Sequence, residues 1–158
     1  MPTLARAYLI TFRTYGTWLH GDGRYSRHRR HANGYHTPVL APAPAWREES
    51  RAAMGGDAVV LDAASRAIVH STVHEVCAHR GRGLFAVNAR TNHVHVVLSS
   101  SCRPEEAMAT MKAWCTRRLR EAKLLATDAR LWAQHGSTRH LWSERDVEGA
   151  VRYVVEGQ

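Results

Sequence analysis

Apolar and polar residues alternate along this chain in two rhythms, of period two and of period near 3.6, and the switches between them mark its elements. Residues 7 to 14, AYLITFRT, set β-branched and aromatic residues close together and predict a strand. From Leu61 to Arg80 the apolar residues Leu61, Ile68, Val69, Val73 and Val76 fall on one arc, predicting a helix that Gly81 and Gly83 end. Leu84 to Asn88 and His93 to Ser99 read as two strands joined by a short polar turn. A second helix opens near Pro104, with Glu105 and Glu106 at its positive end. Its expected buried stripe is Met108, Met111, Cys115, Leu119 and Ala122. Ser137 to Trp142 predicts a fourth strand. Ser143 with Asp146 then fits a capping box before a last helix through Val147, Ala150, Val151, Val154 and Val155.

That order resembles a split βαβ arrangement: an α+β, ferredoxin-like antiparallel sheet with helices packed on it. One stretch breaks the pattern. Between His20 and Gly56 the chain holds Gly21, Gly23, Gly34, Gly55 and Gly56 with Pro38, Pro42 and Pro44, which predicts a long excursion at about 20–60. Excursions of that length within a compact domain tend to be functional. The chain has 158 residues, enough for one domain with a real core, so residues 1–158 are read as a single domain.

Charge narrows the partners. Lys plus Arg is 22 against 14 for Asp plus Glu, a formal net charge of +8, which makes nucleic acid the first candidate. The excursion concentrates Arg24, Arg27, Arg29 and Arg30 beside Tyr25, His28 and His31, a mixture suited to the phosphates and bases of a single strand. A solvated basic loop would look the same. Lys112, Arg120 and Lys123 flank the stripe of the second helix, and Lys112 and Arg120 join the expected nucleic-acid contacts. Cys77, Cys102 and Cys115 are odd in number and contain no C-x-x-C pair, against a disulfide framework or a paired-thiolate zinc site. Apolar runs such as Val94 to Leu98 are too short to span a bilayer, and the first residues lack a signal-peptide pattern. The expectation is a reduced, cytoplasmic protein with no membrane partner.

The strongest chemical signal is the run from Asn92 to Leu98, NHVHVVL. On a strand, Val94, Val96 and Leu98 share one face and seek the core, which leaves His93 and His95 side by side on the other. Two imidazoles so placed hold a divalent cation with positions open for a phosphodiester, although an isolated H-x-H is more often two polar residues on a wet face. His70, His74 and Cys77, at i, i+4 and i+7, share a helical face and allow a soft-metal site, again a pattern that more often means nothing. No phosphate-cradling glycine loop or G-x-S-x-G is present. Tyr153 lies at the edge of the last helix's apolar stripe, either a boundary core residue or a nucleophile. Phenols ordinarily titrate near about 10, so a nucleophilic one needs a metal or base nearby.

In combination, three blocks resemble the single-tyrosine HUH transposases of bacterial insertion sequences, and most closely the REP-associated tyrosine transposase branch. They are YLITFRTYGTWLHGDGR at the N-terminus, CAHRGRGLFAVNARTNHVHVVLS in the centre and LWSERDVEGAVRYVVEGQ at the C-terminus. Each is weak alone, but together they lie in order across nearly the whole chain. The resemblance implies an HUH-endonuclease type of fold and an enzyme that cuts and rejoins single-stranded DNA near hairpins. It implies that His93 and His95 hold Mg²⁺ or Mn²⁺ and that Tyr153 forms a 5′-phosphotyrosine. The family's third ligand, an amide or acid about one turn beyond the tyrosine, falls by resemblance on Glu156 or Gln158, since the i+4 position is Gly157. Some relatives exchange the terminal helix in a homodimer, which leaves the oligomeric state open. Two other readings stay open: a non-catalytic single-stranded nucleic-acid-binding module of the same fold, and a metal hydrolase that uses water as its nucleophile.

Overall fold

Strand β1, Ala7–Arg13, sorts its side chains by alternation: Tyr8, Ile10 and Phe12 enter one hydrophobic cluster, Ala7 and Leu9 another. A computed structural model describes residues 4–16 and 58–156 of the chain. Six further elements follow β1: α1 (Ala63–His79), β2 (Gly83–Ala89), β3 (His93–Ser99), α2 (Pro104–Glu121), β4 (Ser137–Leu141) and α3 (Glu144–Glu156). The strands make one sheet in the order β2-β3-β1-β4, with every neighbouring pair antiparallel. β1 and β2 therefore run parallel with β3 between them, the split βαβ of a ferredoxin-like α+β fold.

The sheet is buried on both faces. On one side Ile10, Phe12, Val94, Val96 and Leu98 meet Val69, Val73 and Val76 of α1 and Met111, Cys115 and Leu119 of α2. On the other, Leu9, Ala86, Val97 and Leu141 meet Ala150 and Val154 of α3. This second, smaller core sets α3 over the face that carries His93 and His95. Among the described residues no helix is long and apolar enough to cross a membrane.

Three details differ from the expectation. Leu61 is buried just before α1, because Asp62 caps the helix with its carboxylate accepting from Ser65 N–H at 2.8 Å. Ala122, expected in the α2 stripe, is exposed, since α2 ends at Glu121 and Ala122 is its C-cap. Gly81 ends α1 with φ of 64°, but Gly83 belongs to β2, where an added Cβ would meet Ser99 Oγ at 2.5 Å. Most of the expected 20–60 excursion lies outside the described residues. Its flanks are pinned together: Val59 N–H donates to Tyr15 O at 2.9 Å, the Thr14 hydroxyl to Val59 O at 2.6 Å and Leu61 N–H to Thr91 O at 2.7 Å.

The capping box of α3 forms as expected. Asp146 N–H donates to Ser143 Oγ at 3.1 Å, and Asp146 Oδ2 accepts from the N–H groups of Ser143 and Trp142. The Ser143 hydroxyl, and then those two N–H groups, hold the Asp146 carboxyl below its ordinary value of 3.8. A depressed folded-state pKa gives stability that is complete above the unfolded value and lost as pH falls through the folded one. Asp146→Asn is therefore expected to flatten the acid limb of a Tm-against-pH curve below about 4. An unchanged acid limb would show that the cap carries no such linkage.

Candidate functional site

The register of the sheet builds the site. Asn88 of β2 pairs with His95 of β3, His95 with Thr11 of β1, and Thr11 with Ser137 of β4, one row crossing all four strands. His95 is only 5% exposed. Its Nδ1 lies 2.7 Å from Thr11 Oγ1, which fixes the ring on the sheet. His93 donates its Nδ1–H to Asn92 Oδ1 at 2.7 Å, since a carbonyl oxygen can only accept. The two imidazole centroids stand 4.7 Å apart, edge to face.

Helix α3 brings the phenol. Val154 and Ala150 anchor it in the smaller core, and Asn88 Nδ2 donates to Val154 O at 2.9 Å, tying the last turn to the His95 row. The neighbouring residue, Tyr153, consequently falls at the helix margin, 47% exposed, with its ring 5.5 Å from that of His95. His93, His95 and Tyr153 therefore stand in series. Beside them a cavity of about 570 Å³ separates sheet from helix. Leu9, Thr11, His95, Ser137 and Arg139 form its sheet side, and Arg145, Asp146, Gly149, Ala150 and Tyr153 its helix side. Gly149 and Ala150 keep it open: a Cβ on Gly149 would meet nothing within 4 Å. Gly149→Ala is accordingly expected to raise stability by about 1 kcal/mol through helix propensity, seen as a higher Tm. A lower Tm would mean that the helix needs glycine there.

The donor chemistry fits a divalent ion. Asn92 Oδ1 meets Nδ1 of His93 and Thr11 Oγ1 meets Nδ1 of His95, oxygen partners of the kind that orient metal-bound histidines. Glu156 lines a separate groove on the outer side of α3 with Phe85, Val151 and Val155. Phe85 sits where the β2–β3 register shifts, which turns its ring outward. Among the described residues, no group of three His, Cys, Asp or Glu side chains is placed to hold one ion.

Neither a protein-family model nor a curated protein matches the sequence. The architecture, in contrast, is similar to the solved structure of the REP-associated tyrosine transposase bound to a REP hairpin. The two superpose with a TM-score of 0.52 over 98% of this chain and 67% of the other, at 10% identity. This chain shares the fold of that structure.

Within that fold the other expected site residues divide. Arg24, Arg27, Arg29, Arg30 and Gln158 lie outside the described residues. Lys112 and Arg120 sit on α2, in the layer across the sheet from His95. Lys112 Nζ donates to the carbonyls of Ala133 and His135, and burial pushes its pKa down. Arg120 Nη2 donates to Ala129 O at 3.1 Å. Both cations thus tether the segment between α2 and β4. His70 and His74 lie 4.8 Å apart with tilted rings on the exposed side of α1, while Cys77 is buried and desolvation raises its thiol pKa. These three do not converge, and the Cys77 thiol is protected. The sequence reading overlooked Thr11, Asn88, Asn92, Arg139 and Arg145. Period-two alternation, extended from β3 to β1 and β4, could have placed Thr11 and Arg139 on the His95 face.

Proposed function

We propose that this protein is a metal-dependent single-stranded DNA endonuclease and strand transferase, a transposase that acts near DNA hairpins with Tyr153 as its nucleophile. The observation that supports it most is the run of three rings, His93 to His95 at 4.7 Å and His95 to Tyr153 at 5.5 Å, the last two lining one cavity. Mg²⁺ or Mn²⁺ bound through the two Nε2 atoms would supply Lewis-acid polarisation of the scissile phosphate. The remaining protein ligand falls to Glu156 or Gln158, of which Gln158 lies outside the described residues.

The chain's own residues do the rest. Thr11 and Asn92 orient the two imidazoles through their Nδ1 atoms, and Asn88 holds α3 so that the phenol stays beside them. Tyr153 gives up its proton, its oxygen bonds to phosphorus, and the P–O3′ bond breaks, with the departing 3′-oxygen taking up a proton. The broken bond's energy is kept in the phosphotyrosine, so a 3′-hydroxyl from a second strand can reverse the step without ATP.

The test is a denaturing gel of the protein with end-labelled single strands from the DNA flanking its own gene, run with Mn²⁺ or Mg²⁺, with chelator and with Tyr153→Phe. A metal-dependent covalent band that disappears in the variant is expected. Cleavage that persists in Tyr153→Phe would point to an activated water, and binding without cleavage to a binding module; either outcome overturns the proposal.

A further inference from the structure

We propose that Arg139 and Arg145 form a phosphate clamp that holds the single strand one or more nucleotides away from the scissile bond. The inference rests on the reading of Tyr153 as the nucleophile and specifies how the strand reaches it.

Arg139 pairs with Leu9 across β4 and β1, two residues along from the Ser137–Thr11 pair, so its side chain joins the same face as His95. Arg145 belongs to the first turn of α3. Arg145, Gly149 and Tyr153 follow at i, i+4 and i+8, one stripe of the helix about 12 Å long. Both arginines line the cavity that ends at Tyr153. Arg145 stands about 12 Å of helix rise from Tyr153, a span that a strand covers with more than one nucleotide.

The cavity's charge fits this ligand. Its lining holds two guanidinium groups against one carboxylate, that of Asp146, which already accepts from the Ser143 and Trp142 N–H groups. Arg139 is close enough for its charge to help lower the Asp146 pKa, and among the described residues neither the Arg139 nor the Arg145 guanidinium is held in a salt bridge. Other arginines are committed: Arg6 pairs with Glu144, Arg103 with Glu106 and Arg118 with Glu75. Two exposed guanidinium groups converging on one trough suit the oxygens of a phosphodiester. The floor adds the hydroxyls of Thr11 and Ser137, and the small side of α3 leaves a passage for a bare backbone. The groove around Phe85, Val151 and Val155 sets one guanidinium, Arg152, against the carboxylates of Glu144, Glu148 and Glu156, a balance unfavourable to a phosphate.

The test measures anisotropy of fluorescein-labelled oligo(dT) over a salt series with wild type, Arg139→Ala/Arg145→Ala, Arg139→Lys/Arg145→Lys and Gly149→Leu, each checked for its Tm. The double alanine variant should bind about tenfold more weakly at moderate salt. Its slope of log K against log salt should fall by about 1.4, roughly 0.7 for each lost phosphate contact. The double lysine variant should recover most of the slope, and Gly149→Leu should weaken binding with the Tm preserved. A double alanine variant with wild-type Tm, affinity and slope would overturn the clamp. Gly149→Leu binding as wild type would overturn the path along the trough. The covalent adduct at Tyr153 is scored separately. An adduct with no change in the alanine variant sinks the clamp alone, and a lost slope with no adduct in wild type sinks the nuclease reading alone.

Discussion

His95→Ala is expected to reduce metal-dependent cleavage by more than about a hundredfold, since losing even an outer partner of a metal ligand costs that much. It should also cost about 1–3 kcal/mol of stability, because the part-buried Thr11 hydroxyl loses the ring nitrogen 2.7 Å away. The two effects are separable. His95→Gln keeps a polar partner for Thr11 and should regain stability without activity. Thr11→Val should keep the imidazole but release its orientation, lowering activity about 10- to 100-fold. Single-turnover cleavage and urea unfolding on the three variants would check this. Full activity in His95→Ala would remove that imidazole from the chemistry.

Phe12→Ala carries the largest expected loss of stability, about 3–5 kcal/mol from lost burial and the cavity left behind. Phe12 is fully buried in the larger core and meets Trp132 edge to face, with centroids 4.8 Å apart. Trp132 in turn donates its indole N–H to Lys112 O at 3.0 Å, so the ring supports the segment that returns from α2 to the sheet. Domains of this size hold about 5–15 kcal/mol in all. The variant should therefore sit near the edge of folding, with a urea midpoint shifted far down at unchanged m-value. The site should feel it as well, because Thr11 and Arg13, on either side of Phe12, pair with His95 and His93. A loss below about 1 kcal/mol would show that the larger core repacks freely around this position.

How much of this could be read from the sequence depends on how local each cause is. The β3 alternation, NHVHVVL, announces both layers at once: Val94, Val96 and Leu98 are fully buried toward α1 and α2, and the imidazoles face α3. The α3 cap spans four residues and was equally legible, as was the marginal position of Tyr153 on that helix. What escaped is long-range. Thr11 matters because β1 lies beside β3, a pairing across 84 residues that no local pattern encodes. Arg139 was hidden because β4, STRHL, carries one buried apolar residue and gives little sign of which side faces the helix. Charge alone could not show that Lys112 and Arg120, counted as cations for a polyanion, also donate to backbone carbonyls in the fold. Helical spacing put Glu156 near the tyrosine, and in the fold it also lines the groove with Phe85, which one-dimensional spacing does not reveal.

The central claim is that Tyr153 itself attacks the phosphate, and the most direct measurement is mass spectrometry of the protein after reaction with a single-stranded substrate and nuclease trimming. The account predicts one modified peptide, from the α3 region, with a nucleotide joined through its 5′-phosphate to Tyr153 and the upstream fragment released with a free 3′-hydroxyl. Cleaved DNA with no nucleotide on the protein, or a nucleotide on any other residue, would contradict it.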